Sequence, residues 1–186
     1  MRYSADHKAA LRKKLVAAAG ALCKENGFGV TGVDALMATV GLSGGAFYGH
    51  FKTKSDLLND IVANELATTR ARFEAMQGGD GASAEALLRA YFSRLHVDNP
   101  GMGCALPSLS NEVARANDEV KETYEKGLQA LHDLLAENLP NPERAWALLA
   151  MAAGTISMAR AVKSPEMQER ILSSAVDLML SELSTD

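Results

Sequence analysis

Aromatic residues make up only 5% of this 186-residue chain, proline occurs five times and cysteine twice, at Cys23 and Cys104. Two thiols cannot supply a disulfide framework. Runs of alternating β-branched residues are nearly absent, which excludes an extensive sheet. The longest apolar stretch, Ala145 to Ala159, is interrupted by Gly154, Thr155 and Ser157 and ends at Arg160, short of the ~20 residues that a bilayer span needs. The opening MRYSADHKAALRKK has no apolar run of the secretory kind, so the expected compartment is the cytoplasm. No HExxH, GxSxG, CxxC or phosphate-loop pattern occurs, so neither metal nor cofactor is expected and an enzyme is not the first reading.

What the chain does have is 47% hydrophobic residues, mostly Ala, Leu and Met, against 23% charged. Those are strong helix formers in sufficient quantity for a core, and the composition is all-α. The net charge of -4 conceals a division: residues 1–58 carry eight Lys/Arg against four Asp/Glu, and residues 59–186 carry eleven against nineteen. A basic head on an acidic body expects a polyanion at the head alone.

Helical punctuation is regular. Leu11, Leu15, Ala18 and Leu22 mark a first helix closed by Gly27 and Gly29. Thr31 is placed to cap a second, with Val33, Leu36, Met37 and Val40 inward, and Gly41 turns the chain into a third, capped by Ser43 and ending near His50 or Phe51. Thr53 caps a fourth, from Lys54 to about Met76, before a break at GGDG, residues 78–81. Helices are then expected over about 84–97, 105–115 and 118–139. Two more begin at Asn141-Pro142 and Ser164-Pro165, where Pro fits the first helical position. About nine helices result, divided into a three-helix head, residues 1–53, and a larger helical body, residues 54–186.

The helix after Pro142 is apolar around nearly all its circumference, so it must be buried on several sides. With the last helix it suggests a pair that doubles into a four-helix bundle in a homodimer. Trp146, Ala150, Ala153, Gly154, Ser157, Leu172, Val176, Met179 and Leu183 are the candidate contacts. The plainer alternative is a monomer that spends both helices on its own core.

The stretch GLSGGAFYGHFKTKSDLL, residues 41–58, is the most informative. Helix, short glycine-containing turn and second short helix form the layout of a DNA-binding helix-turn-helix. Ser43 and the free N–H groups behind it make an anion-binding helix start, and Gly44 and Gly45 leave those groups uncovered. Phe47 and Phe51, spaced i and i+4, can anchor the inner face, leaving Tyr48 and His50 outward. Lys52 and Lys54 add charge beside the DNA backbone.

On Thr31, Gly41-Leu42-Ser43, Gly45-Ala46-Phe47-Tyr48, His50-Phe51 and Lys54-Ser55-Asp56-Leu57-Leu58, residues 7–66 resemble the N-terminal domain of the TetR/AcrR family of transcriptional regulators. The resemblance implies phosphate bonds from Thr31 and Ser43, backbone clamping by Tyr48 and Lys54, and a phosphate or base contact from His50. Gly44 and Ala46 depart from the family's usual Lys and Thr. Base reading is thereby left to the Ala46 methyl, Phe47 or Tyr48, Gly32 and its neighbours, and DNA shape. Among His7, Lys8, Arg12, Lys13 and Lys14, one or two phosphate contacts are expected.

The resemblance further implies a repressor that binds a palindromic operator as a homodimer and is released by a small, mainly apolar or electrophilic effector held in the body. Candidate lining residues are Tyr91, Phe92, Leu95, His96, Met102, Cys104, Leu106, Leu109, Val113, Tyr124, Leu128, Met151 and Met158. Cys104 follows glycines at a helix start, where the dipole can lower a thiol pKa. The position resembles a branch of the family in which some members sense oxidants or electrophiles through such a cysteine, while a small buried packing residue is the alternative. Two other classes stay open: a helical small-molecule carrier without a DNA role, and a cysteine-dependent enzyme using His96 with Cys104.

Overall fold

The computed structural model describes residues 5–77, 84–137 and 139–183; the expected break at residues 78–81 lies outside them. Among the described residues there are nine α-helices and no strand. They are α1 (Ala5–Asn26), α2 (Val33–Ala38), α3 (Lys54–Gln77), α4 (Ala84–Tyr91), α5 (Arg94–Asp98), α6 (Leu106–Ala114), α7 (Asp118–Ala136), α8 (Arg144–Ala161) and α9 (Pro165–Leu183), with 3₁₀ turns at Gly44–Gly49 and Pro100–Met102.

The head forms because α1 and α3 each carry an aliphatic stripe. Leu15, Val16, Ala19 and Cys23 of α1 meet Leu57, Leu58, Ile61 and Val62 of α3, and Leu36 and Met37 of α2 join the same cluster. Leu57 is fully buried, so Leu57→Ala would cost about 2–5 kcal/mol through lost transfer energy and the cavity left behind. The cluster does not stop at residue 54: it runs on through Leu66 to Leu106, Leu109, Val113, Val120, Leu131 and Leu149 of the body. α3 serves both halves, packing on α1 and, most extensively, on α7. A second cluster joins Phe92 and Val97 to Ile156 and Ala159 of α8 and to Leu172, Ala175, Val176 and Met179 of α9.

Capping explains the start of α3. Thr53 Oγ1 accepts from Asp56 N at 3.1 Å while Asp56 Oδ2 accepts from Thr53 N at 3.1 Å, a reciprocal box in which a short acid fills the usual Glu place. Gly41 makes the expected turn at φ +74, a conformation that other residues rarely hold.

Several boundaries depart from the sequence pattern. Gly32 rather than Thr31 is the N-cap of α2, because the Thr31 hydroxyl is turned back to donate to Gly27 O at 2.5 Å. The expected helix over 84–97 is broken at residues 92–93. There the Ser93 hydroxyl accepts from His96 N at 3.3 Å and starts a new helix, the competition that Ser offers to a helical backbone. α7 ends at Ala136, and α8 starts at Arg144 rather than Pro142. The third helix of the head is a 3₁₀ segment, the form left when two glycines weaken an α-helix by about 1 kcal/mol each.

Candidate functional site

The 3₁₀ segment is held from beneath. Phe47 and Phe51 are 1% and 3% exposed, with ring centroids 5.6 Å apart, as their spacing anticipated. Arg12 of α1 fixes the far end: Nε and Nη2 donate to Asp60 Oδ2 at 3.0 and 2.7 Å. Its Nη1 donates to the His50 carbonyl, and the guanidinium lies 4.0 Å from the Phe51 ring centroid. Arg12 is therefore a structural clamp, a role hidden in a sequence that read as a run of surface cations.

Above this floor Tyr48 is 76% exposed, its ring edge-on to Phe47. Ser43 is exposed and its side chain makes no capping bond. Gly32 and Gly45 are exposed, and a Cβ on Gly32 would meet nothing within 4 Å. Lys8, Lys13, Lys14 and Lys52 are all exposed. His50 is half-buried, with an Nδ1 that has no partner. Burial, then the charges of Lys8 and Arg12, hold its basicity below the usual imidazole range.

Five sequence-assigned contacts are placed differently. Phe47 is core and offers no edge to a base. Thr31 is 6% exposed and its hydroxyl serves the turn. The Lys54 ammonium donates to Phe28 O at 2.8 Å and sits 4.4 Å over the Phe28 ring, so it is tied to the turn that follows α1 before it can serve a phosphate. Gly44 is not bare: the Asp34 carboxylate of α2 occupies the space that a Cβ there would need. Ala46 is half-buried and packs on the core.

In the body, a cavity of about 350 Å³ opens between α3, α4, α5 and the turn over residues 99–104. Of the thirteen sequence candidates, Tyr91, Leu95, His96, Met102 and Cys104 line it. Phe92 faces the α8–α9 cluster instead, and Leu106, Leu109 and Val113 are core. Tyr124 bonds Ser110 Oγ at 2.7 Å, Leu128 packs on the main core, Met151 packs toward α9, and Met158 is 61% exposed. Sequence reasoning missed Thr69, Arg72 and Phe73 of α3, together with Ala90, Ser93, Asn99 and Gly103. The i, i+3, i+4 spacing of Thr69, Arg72 and Phe73 was the available signal, disguised by its polar members.

His96 organises one wall. Its Nδ1 pairs with Tyr91 O at 2.8 Å and its Nε2 accepts from Cys104 N at 3.0 Å, which fixes the neutral tautomer with the proton on Nδ1. Burial, reinforced by Arg160, Lys24 and Arg72, lowers its pKa against the Tyr91 carbonyl. Cys104 is 5% exposed and lies two residues before α6, which starts at Leu106. Burial pushes its thiol up despite helping bonds from Tyr91, Leu106 and Thr69, so the expected helix-start activation is outweighed. The Tyr91 hydroxyl is buried beside it without a hydrogen-bond partner of good geometry, and burial raises its pKa well above the usual phenol value.

The candidate dimer residues divide. Leu172, Val176 and Met179 are 2–3% exposed inside the protomer's own second cluster, and Ala153 packs against the main core, so these four are spent within the chain. The Leu183 side chain lies outside the described residues. Trp146 is 37% exposed and stacked 4.1 Å over His132. Ala150, Gly154 and Ser157 face outward, with Met158, Met167 and Leu178 on the same two helices 61%, 50% and 51% exposed. Among the described residues there is no cluster of three metal-ligating side chains and no helix long and apolar enough to cross a membrane.

Residues 15–61 match the family of bacterial regulatory proteins of the tetR type. The chain is 27% identical over 134 residues to the HTH-type transcriptional repressor NemR of Escherichia coli K12, covering 70% of this chain and 67% of that protein. The crystal structure of E. coli NemR in its reduced form superposes with a TM-score of 0.71 at 23% identity, over 89% of this chain and 95% of that one. A TetR-family regulator from Cytophaga hutchinsonii gives 0.74 at 17% identity over the full length of both chains. One from Legionella pneumophila gives 0.73 at 14%, over 96% and 99%. At those identities the structures speak for the fold.

Proposed function

We propose that this chain, whose residues 15–61 match the tetR family and which is 27% identical to the NemR repressor, is a TetR-family transcriptional repressor that binds a palindromic operator as a homodimer. A small, mainly apolar or electrophilic molecule entering the cavity beside Cys104 releases it. The observation that carries the reading is the geometry of the head: Tyr48 is 76% exposed on a segment whose other face is fixed by Phe47 and Phe51. Tyr48 is thereby presented outward from a fixed floor, and Ser43, Lys8, Lys13, Lys14 and Lys52 of the same head are exposed and suit phosphates.

The outward stripe of α8 and α9 supports the dimer, since Ala150 and Gly154 let a second backbone come close while Met158, Met167 and Leu178 supply apolar area. The cavity supports the effector: its exposed lining is overwhelmingly apolar. Tyr91, whose buried hydroxyl makes no hydrogen bond of good geometry, and Cys104, with a neutral thiol, line it.

The test is a mobility shift with the gene's own upstream region at two salt concentrations, comparing the native chain with Tyr48→Ala. The reading requires binding that weakens steeply with salt and a Tyr48→Ala loss of similar size at every bound sequence. A chain that shifts no fragment at low salt is a carrier or something else.

A further inference from the structure

Lys24 of α1 and Glu65 of α3 form an ion pair at 2.5 Å with side chains 2% and 8% exposed. Removing two charges from water is expensive, and such a pair is often no more stabilising than two apolar side chains of the same shape. Its purpose is better sought in what it joins. The same Lys24 Nζ donates to Gly103 O at 3.0 Å, and Gly103 is a wall residue of the cavity.

The surroundings are shaped to this contact. A Cβ on Gly20 would stand 2.6 Å from Glu65 Oε1, so a glycine makes room for the acid. A Cβ on Gly103 would stand 2.5 Å from His96 Cδ2 and 3.0 Å from Arg160 Nη2, so the turn is pressed from the opposite side as well. One helical turn along from Glu65, Thr69 lines the cavity and its Oγ1 accepts from Ala105 N at 3.4 Å. One buried ammonium therefore ties together the first helix of the head, the long helix shared by both halves, and the backbone next to Cys104.

We propose that Lys24, neutralised by Glu65, is the positioning residue that couples the cavity to the head: an occupant that displaces the turn over residues 99–104 must either break the Lys24–Gly103 bond or carry α1 with it. This deepens the reading of the cavity as the effector site and rests on it. Coupling is reciprocal, so operator DNA held by the head must also restrain the cavity wall.

The reciprocal effect can be measured without knowing the effector. Iodoacetamide alkylates Cys104 as the thiolate displaces iodide, forming a carbon–sulfur bond and leaving the thiol proton with solvent. Peptide mass spectrometry reads Cys104 separately from Cys23. In the full-length protein, a saturating DNA fragment that it shifts slows this reaction by about fivefold or more. In Lys24→Met/Glu65→Leu, shown folded by circular dichroism, DNA changes the rate by less than about twofold. Should that pair not fold, Lys24→Gln/Glu65→Gln removes both charges with little change of shape and carries the same expectation. Equal protection in native and variant proteins overturns the coupling, as does no protection in the native protein, or a Cys104 that never reacts because its wall never opens. If the native protein shifts no fragment at all, the gel shows that the operator reading itself has failed and the coupling falls with it.

Discussion

Replacing Arg12 by Met separates holding the recognition segment from touching DNA. The side chain of Arg12 is 41% exposed and that of Asp60 34%, so solvent screening limits the ion pair to about 0.5 kcal/mol. The bond to the His50 carbonyl adds about 1 kcal/mol and the guanidinium over Phe51 about 0.5 kcal/mol. The loss of about 2 kcal/mol lowers the melting temperature by about 4–8 °C for a chain of this size. If half of it must be restored to order the segment on DNA, operator affinity falls about fivefold. Thermal unfolding and a salt series of mobility shifts measure both. A clamp leaves the slope of log affinity against log salt unchanged. A slope shallower by about 1, with an unaltered melting temperature, would mean that Arg12 holds a phosphate and would refute its assignment as a clamp.

The neutral, doubly bonded His96 makes a pH prediction. Its folded pKa lies below the ordinary 6.5, so the unfolded chain binds the extra proton first. The stabilisation is complete above pH 6.5 and is lost as pH falls from there through the folded value. His96→Gln should flatten that part of the stability curve, leaving a residue from His50, whose pKa is shifted the same way; an unchanged curve in urea titrations contradicts the tautomer assigned here. With the Cys104 thiol raised above 9.0 by burial, its alkylation rate should still be climbing at pH 9.5, and a plateau near pH 7 would contradict the buried, neutral thiol. Ala150→Glu puts a charge into the outward face of α8 without touching the protomer's core. Light scattering should show half the native mass, and retention of that mass would move the dimer contact elsewhere.

How much of this was legible beforehand depended on how local each signal was. The turn at Gly41, the Phe47 and Phe51 anchors and the capped start of α3 are all decided within a few residues, and the sequence displays them directly. The two sides of α9 are not so decided. Met167 and Leu178 face outward while Leu172, Val176 and Met179 are core, and an apolar residue carries no mark of which neighbour it will meet. The cavity was half visible: Tyr91, His96 and Cys104 stood out, whereas its α3 wall required the knowledge that α3 passes behind them. Nothing local marks Lys24 and Glu65, and Arg12 stands among the candidate phosphate contacts of the first helix, because the partners of these side chains lie far along the chain: Glu65 for Lys24, and Asp60, 48 residues away, for Arg12. Asp34 filling the space of a missing Cβ at Gly44 is likewise a tertiary fact.

The most direct measurement is a footprint of the full-length protein on its own upstream DNA, read alongside the mass of the complex. Two protected half-sites related by a twofold axis, one helical turn or a multiple apart, under a complex containing two chains, are the predicted result. A single protected site occupied by one chain, or no protection at low salt, would contradict a symmetric pair of heads gripping an operator.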